Sequence, residues 1–371
     1  MRRTLLLTAT LATIIATAAP SSADAGAPPT TCPVPGTDLL DGGRGWTSGL
    51  NDRGAVIGFH EVGGQIHGFV WRDGEVTDIA PPSGGDYSST SAVNRRGEVT
   101  GSRGSRGGPV PIRAFVWRDG VTTDLLVPGG TSSAGPINDR GQIAGTVVDP
   151  AGITRAVLWT RDVPAVLPDL GGTYSTVLDL NDRGQGAGYS ELPGDGSHAV
   201  LWTGGRVVDL GPGRAIAVND RGQVLVERSA VAGPTTGFLW ENGRTTTLGT
   251  NVTGVTGLNE HGQVIGTYAP EGAPESYGFL WTRGRITDLG PVSPTDLNDR
   301  GQVLAETTSN GLRQGLVIDR RRTYTLTPVG GGPDSATVAL NNRGLVAGLS
   351  QTGGTAVLWR LSCAQPPAGP H

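Results

Sequence analysis

The chain has no lysine, two cysteines and few aromatic residues. All 29 basic residues of its 371 are arginine, Phe, Trp and Tyr make up 5%, and charged residues 17%. Without lysine no Gly-Lys-Ser/Thr phosphate loop can exist. Cys32 and Cys363 alone cannot supply a Cys-ligated zinc centre or a cysteine-rich mini-domain. A net charge of −4 gives no electrostatic footprint for nucleic acid or anionic lipid. The five histidines (His60, His67, His198, His261 and His371) show no metal-ligand spacing, and no Gly-x-Ser-x-Gly elbow is present. No cofactor is expected. What the chain has in excess is 61 Gly and 26 Pro, both penalised inside helices, so an all-β fold is expected.

Met1-Arg2-Arg3, the apolar run Thr4 to Ala19 and the small-residue site Ala23-Asp24-Ala25 read as a secretory signal over residues 1–25. The arginine pair fits either general or twin-arginine export. The apolar run is shorter than the roughly 20 residues of a membrane-spanning helix. A secreted, extracellular chain with no membrane span in its mature form is expected, with residues 26–36 as a linker.

The rest is periodic. Asn-x-x-Gly begins at Asn51, Asn94, Asn138, Asn181, Asn219, Asn259, Asn298 and Asn341, at intervals of 43, 44, 43, 38, 40, 39 and 43 residues. Asn first and Gly fourth suit a type I turn closed by a left-handed glycine. An acid follows most of these Asn residues, but one carboxylate per turn lacks the dense oxygen shell of calcium, so turn chemistry is the reading. A second marker is a buried-strand pattern ending in Trp71, Trp117, Trp159, Trp202, Trp240, Trp281 and Trp359, with Ile318 in the seventh copy. A residue repeated in almost every copy is read as packing between adjacent sheets. The third marker is Thr-Asp-Leu or a variant, including Asp38, Asp78, Asp124, Pro168-Asp169-Leu170, Asp209, Thr247, Asp288 and Thr325, seven residues beyond the Trp position in six of seven internal copies.

Each copy therefore supplies four short antiparallel strands, and eight copies of about 41 residues predict an eight-bladed β-propeller over residues 37–363. The first marker met is an Asp-Leu strand and the last a Trp strand, so the N-terminal strand is expected to complete the last blade in a 3+1 closure. Cys32 and Cys363 flank the place where that blade lacks a hairpin, and a disulfide between them is expected in a secreted chain. Residues 364–371 form a Pro-rich tail.

His67-Gly68-Phe69, His198-Ala199-Val200 and Leu-Asn-Asp-Arg-Gly-Gln-Val at Leu297 to Val303 together resemble the HAF repeat of secreted bacterial proteins. The resemblance runs from about Thr37 to Trp359 and implies a propeller without implying an activity. The other copies replace the His by Arg113, Arg155, Thr236, Tyr277, Gln314 or Thr355.

The Asn-x-x-Gly turns keep one length, whereas the connections from the Asp marker to the next Asn, and those in mid-unit, vary. In a four-stranded antiparallel blade the two variable loops share one face, where binding on a rigid scaffold is expected. Arg44, Trp46, Tyr87, Arg103, Arg106, Tyr174, Tyr268 and Tyr277 are the ligand-binding candidates there, since flat rings beside polar groups suit an extracellular glycan or protein. No catalytic residues are assigned, and a monomer is expected. The expectation is a binding scaffold, with two alternatives: an extracellular carbohydrate-active hydrolase or lyase whose carboxylates converge on the channel, and a passive cell-envelope component.

Overall fold

The computed structural model describes residues 30–127, 130–194, 196–228, 236–273, 275–320, 322–332, 334–350 and 354–362. The expected signal segment, Cys363 and the tail lie outside them. Regular structure among the described residues is β-strand, with one 3-10 turn at Val329–Gly331 and no α-helix. None of them forms a helix long and apolar enough to cross a membrane.

The strands fall into antiparallel groups of four. Ser175–Leu180, Gly186–Glu191, Ser197–Thr203 and Arg206–Pro212 follow one another across one sheet in chain order. Groups of the same order begin at Thr131, Arg214 and Val252. Two larger sheets each join two such groups, one through a single parallel bridge between Ile66 and Tyr87, the other through the strand Thr30–Asp38.

That N-terminal strand pairs twice. Residues 30–35 run parallel to Arg322 through Thr327, and residues 36–38 run antiparallel to Val357 through Trp359, beside the last Trp strand. Residues 30–36, expected as linker, are thus strand. Cys32 and Val34 point inward and Thr31, Pro33 and Pro35 outward, an alternation that the two prolines disguise in the sequence. Proline is tolerated here because residues 30–35 are laddered on one side only.

Two glycine positions explain how the first two strands of each unit meet. Gly54, Gly97, Gly141, Gly184, Gly222, Gly262, Gly301 and Gly344 close the Asn turns with φ between 73° and 93°, where a Cβ is strained. Four residues further on, a Cβ at Gly58, Gly101, Gly145, Gly188, Gly266 or Gly348 would lie 2.0–2.2 Å from a carbonyl oxygen of the first strand. The first strand is bulged opposite these glycines, and the ring of Phe69, Phe115, Trp159, Trp202, Phe279 or Trp359 presses on the same spot.

The tryptophans pack between sheets. Trp159 and Trp359 are fully buried, and one apolar cluster joins Ala114, Val116 and Leu125 of one unit to Ala134, Ile143, Val157 and Trp159 of the next. The Trp202 Nε1–H donates to Pro168 O at 2.7 Å, and that of Trp359 to Thr327 O at 2.8 Å, stitching each ring to the preceding sheet.

One marker is displaced. Asp78, Asp124, Asp209, Thr247 and Asp288 sit opposite Phe69, Phe115, Val200, Phe238 and Phe279, and the corresponding partner of Val157 is Val166. The Leu167 N–H donates to Ala156 O, as that of Leu125 does to Ala114 O. The third-unit marker is therefore Ala165-Val166-Leu167, and Pro168-Asp169-Leu170 is a three-residue insertion that repeats the motif's look. Register restores the seven-residue spacing in that unit.

Candidate functional site

At the constant-turn face the asparagines are hubs. In the third unit Asn138 Oδ1 accepts the N–H groups of Arg140 at 3.1 Å and Gln142 at 2.9 Å, fixing the turn. Its Nδ2 donates to Gln142 Oε1 at 2.9 Å and to the Asn181 carbonyl of the next unit at 2.9 Å. The same inter-unit bond runs from Asn51 to Asn94, Asn94 to Asn138, Asn181 to Asn219, Asn219 to Asn259, Asn259 to Asn298 and Asn298 to Asn341, at 2.8–3.1 Å. Asn341 then donates to Asn51 O at 2.9 Å. Sequence reading found the turn but not this relay, because Nδ2 acts on another copy.

The following residue makes a second circuit. A side-chain oxygen of Asp139, Asp182, Asp220, Glu260, Asp299, Asn342 and Asp52 accepts a backbone N–H from the preceding unit. The run stops at Arg95, whose guanidinium lies between Asp139 at 3.3 Å and Asp52 at 3.6 Å. Asp52, Arg95, Asp139, Asp182, Asp220 and Glu260 of this circuit line an open cavity of about 350 Å³ that also takes in Asp179. Asp179 accepts from Leu180 at 2.8 Å and Val218 at 2.8 Å, and Asp296 accepts equivalently from Leu297 and Leu340. Burial pushes both carboxyls above their usual range, although these backbone bonds pull the other way. Glu260 is raised for the same first reason, with Asp220 and Asp299 adding repulsion. No His, Cys, Asp or Glu cluster among the described residues has a metal-holding arrangement.

Outward on that face, Arg118 grips both oxygens of Asp162 at 2.9 and 2.8 Å and reaches Glu98 at 3.0 Å. This joins the second and third units. Burial opposes the Glu98 charge, but bonds from Asn94, Arg96 and Arg118 outweigh it and hold the carboxyl below its ordinary value.

The eight ligand-binding candidates lie where first and third strands start and second strands end, which antiparallel order puts at the opposite end of the blades. Trp46 stacks on Phe59 with centroids 5.3 Å apart, and Tyr174 stacks on Tyr189 at 5.6 Å. Arg214 of the next unit lies 5.1 Å from the Tyr189 centroid. Tyr268 meets Tyr277 edge to face at 6.5 Å, and Arg106 covers Tyr87 at 4.8 Å. Arg103 pairs with Asp124 at 2.7 Å, so its charge is committed within its own unit. Arg44 is exposed on the approach to Trp46. Sequence reading missed Phe59, Tyr189 and Arg214. The first two share one offset from the Asn of their units, a signal that was available.

The repeat His has a structural partner. His67 Nδ1 is 2.7 Å from Asp78 and His198 Nδ1 is 2.9 Å from Asp209, bridging third and fourth strands. Arg155 also meets an acid, Asp169 at 3.1 Å, but that carboxylate stands in the insertion beyond the fourth strand. In the first unit His60 adds a second contact to Asp78 at 2.9 Å.

Four-stranded antiparallel blades, joined by side-chain relays from one unit to the next, define an all-β, propeller-like protein. The β-propeller domain of the Trilobed protease from Pyrococcus furiosus is similar at TM-score 0.52 and 11% identity, over 73% of this chain and 94% of that one. A puromycin-hydrolysing peptidase of Mycobacterium tuberculosis is similar at TM-score 0.52 and 12% identity, over 92% of this chain and 62% of that one. A prolyl endopeptidase structure gives 0.51 and 14%, over 76% and 50%. The chain thus spans between half and about six tenths of those two peptidases. At these identities the likeness is one of fold. No protein-family model matches the chain, and no curated protein matches it.

Proposed function

We propose that this chain is a secreted HAF-repeat protein, an eight-bladed propeller closed by its N-terminal strand, that binds an extracellular glycan or protein through its variable-loop face. Half-exposed aromatic rings on that face carry the reading. The Tyr174–Tyr189 stack, with the Arg214 guanidinium over the Tyr189 ring, offers a half-exposed aromatic surface next to a cation. Such surfaces contribute contact area at low conformational cost. Closure is supported by the pairing of residues 36–38 with the last Trp strand and by the bond from Asn341 to Asn51. The clasp between Cys32 and Cys363 is supported by the position of Cys32 Sγ, 3.8 Å from the carbonyl oxygen of Ser362.

A glycan array and a pull-down from native cell surfaces test the binding reading. Selective capture by the wild-type chain that is lost in the Tyr174→Ala/Tyr189→Ala double variant supports it. Capture of nothing selective favours a passive envelope component. The hydrolase or lyase reading draws on the acidic cavity of the constant-turn face. Those carboxylates already accept main-chain N–H groups, which suits a scaffold better than proton transfer.

A further inference from the structure

The fifth residue after each asparagine is Val56, Val99, Ile143, Val224, Val264, Val303 or Val346 in seven units, every one buried. The fourth unit has Gly186 instead. Where that side chain is missing, a cavity of about 230 Å³ opens between the third and fourth units. Leu158, Val177, Leu180 and the Trp202 ring line it. The three-residue insertion sets Pro168 at its rim, and the Trp202 N–H is already donated to Pro168 O, leaving the indole to offer only its apolar surface. Arg206, exposed on the hairpin that follows Trp202, also lines the cavity. Its side chain makes no ion pair or hydrogen bond among the described residues.

We infer that this cavity is a binding site for a small apolar carboxylate, an aryl- or alkyl-carboxylic acid whose body fills the space left at Gly186 and whose carboxylate meets Arg206. The size is adequate: an apolar cavity of about 150 Å³ accepts benzene. Charge selects the class, because an unpaired guanidinium at the edge of an apolar pocket favours a carboxylate over a neutral group. The site lies at the constant-turn face, away from the aromatic face, so its failure and that of the proposed function are separate results.

Calorimetric titration of the full chain with 3-phenylpropanoate and with the neutral 3-phenylpropanol tests it. Saturable one-to-one binding of the acid is expected, with the alcohol weaker by about tenfold. Arg206→Gln should weaken the acid by about tenfold and leave the alcohol unchanged. Gly186→Val should abolish binding of both. A Cβ there would sit 3.1 Å from Val177, so that variant must repack. Ala165→Trp, at an exposed position on the rim, blocks entry without touching the interior. No saturable binding of the acid, equal binding of acid and alcohol, or full binding by Ala165→Trp would overturn the inference.

Discussion

Asn181 shows how one side chain carries several duties. It is 5% exposed, accepts two N–H groups of its own turn, and donates to Gln185 and to the carbonyl of Asn219. Asn181→Ala removes all four bonds and strands buried polar groups, so a loss of about 3 kcal/mol is expected in chemical unfolding. Asp182→Asn is the control. Asn342 already fills the same place in the last unit, accepting from Asp299 N through Oδ1, so Asp182→Asn should change stability by less than about 1 kcal/mol. Charge is legible at this scale too. Glu98 sits below its ordinary value of 4.5, so its contribution is present above the unfolded value and lost as pH falls through the folded one. Melting temperature measured against pH should therefore fall less steeply below about pH 4.5 in Glu98→Gln than in the wild type. Asp179 and Asp296, raised by burial, have the opposite sign: their contribution is present in acid and lost as pH rises.

At the level of the element, strand existence and order were readable because turn chemistry punctuates each unit. Asn-x-x-Gly fixes one hairpin. The glycine opposite the bulge marks the second strand, and Gly188→Val should cost about 2 to 3 kcal/mol in unfolding, because its Cβ would fall 2.0 Å from Thr176 O. Register was less readable. Pro168-Asp169-Leu170 imitates the marker that Ala165-Val166-Leu167 occupies, and the pairing of Val157 with Val166 together with the Leu167 N–H bond to Ala156 O separates them. Residues 30–36 were hidden for a different reason, since Pro33 and Pro35 argue against a strand until its unladdered side is known. The proposed clasp belongs to this element. Cys32→Ser should lower stability by about 2 to 4 kcal/mol under oxidising conditions and make it indifferent to reductant. Equal stability of wild type and variant without reductant would remove the clasp.

Across the whole molecule the repeat divides labour between two faces. The asparagines and most of the acids of the constant-turn face serve as scaffolding, the asparagines donating to the next unit and the acids accepting from the preceding one. The variable-loop face keeps its rings half exposed and paired among themselves. The candidates on that face were legible as types and loop positions. Of their partners, Phe59 and Tyr189 lie within strands and are marked only by a shared offset from the Asn of their units, and Arg214 reaches across a seam between units that the sequence does not show. Binding on a glycan array, measured for the wild type, Tyr174→Ala/Tyr189→Ala and Asp182→Asn, separates the two faces most directly. A binding scaffold predicts selective signal in the wild type, its loss in the tyrosine double variant and its retention in Asp182→Asn. Selective signal that survives the tyrosine changes and disappears with Asp182→Asn would contradict it.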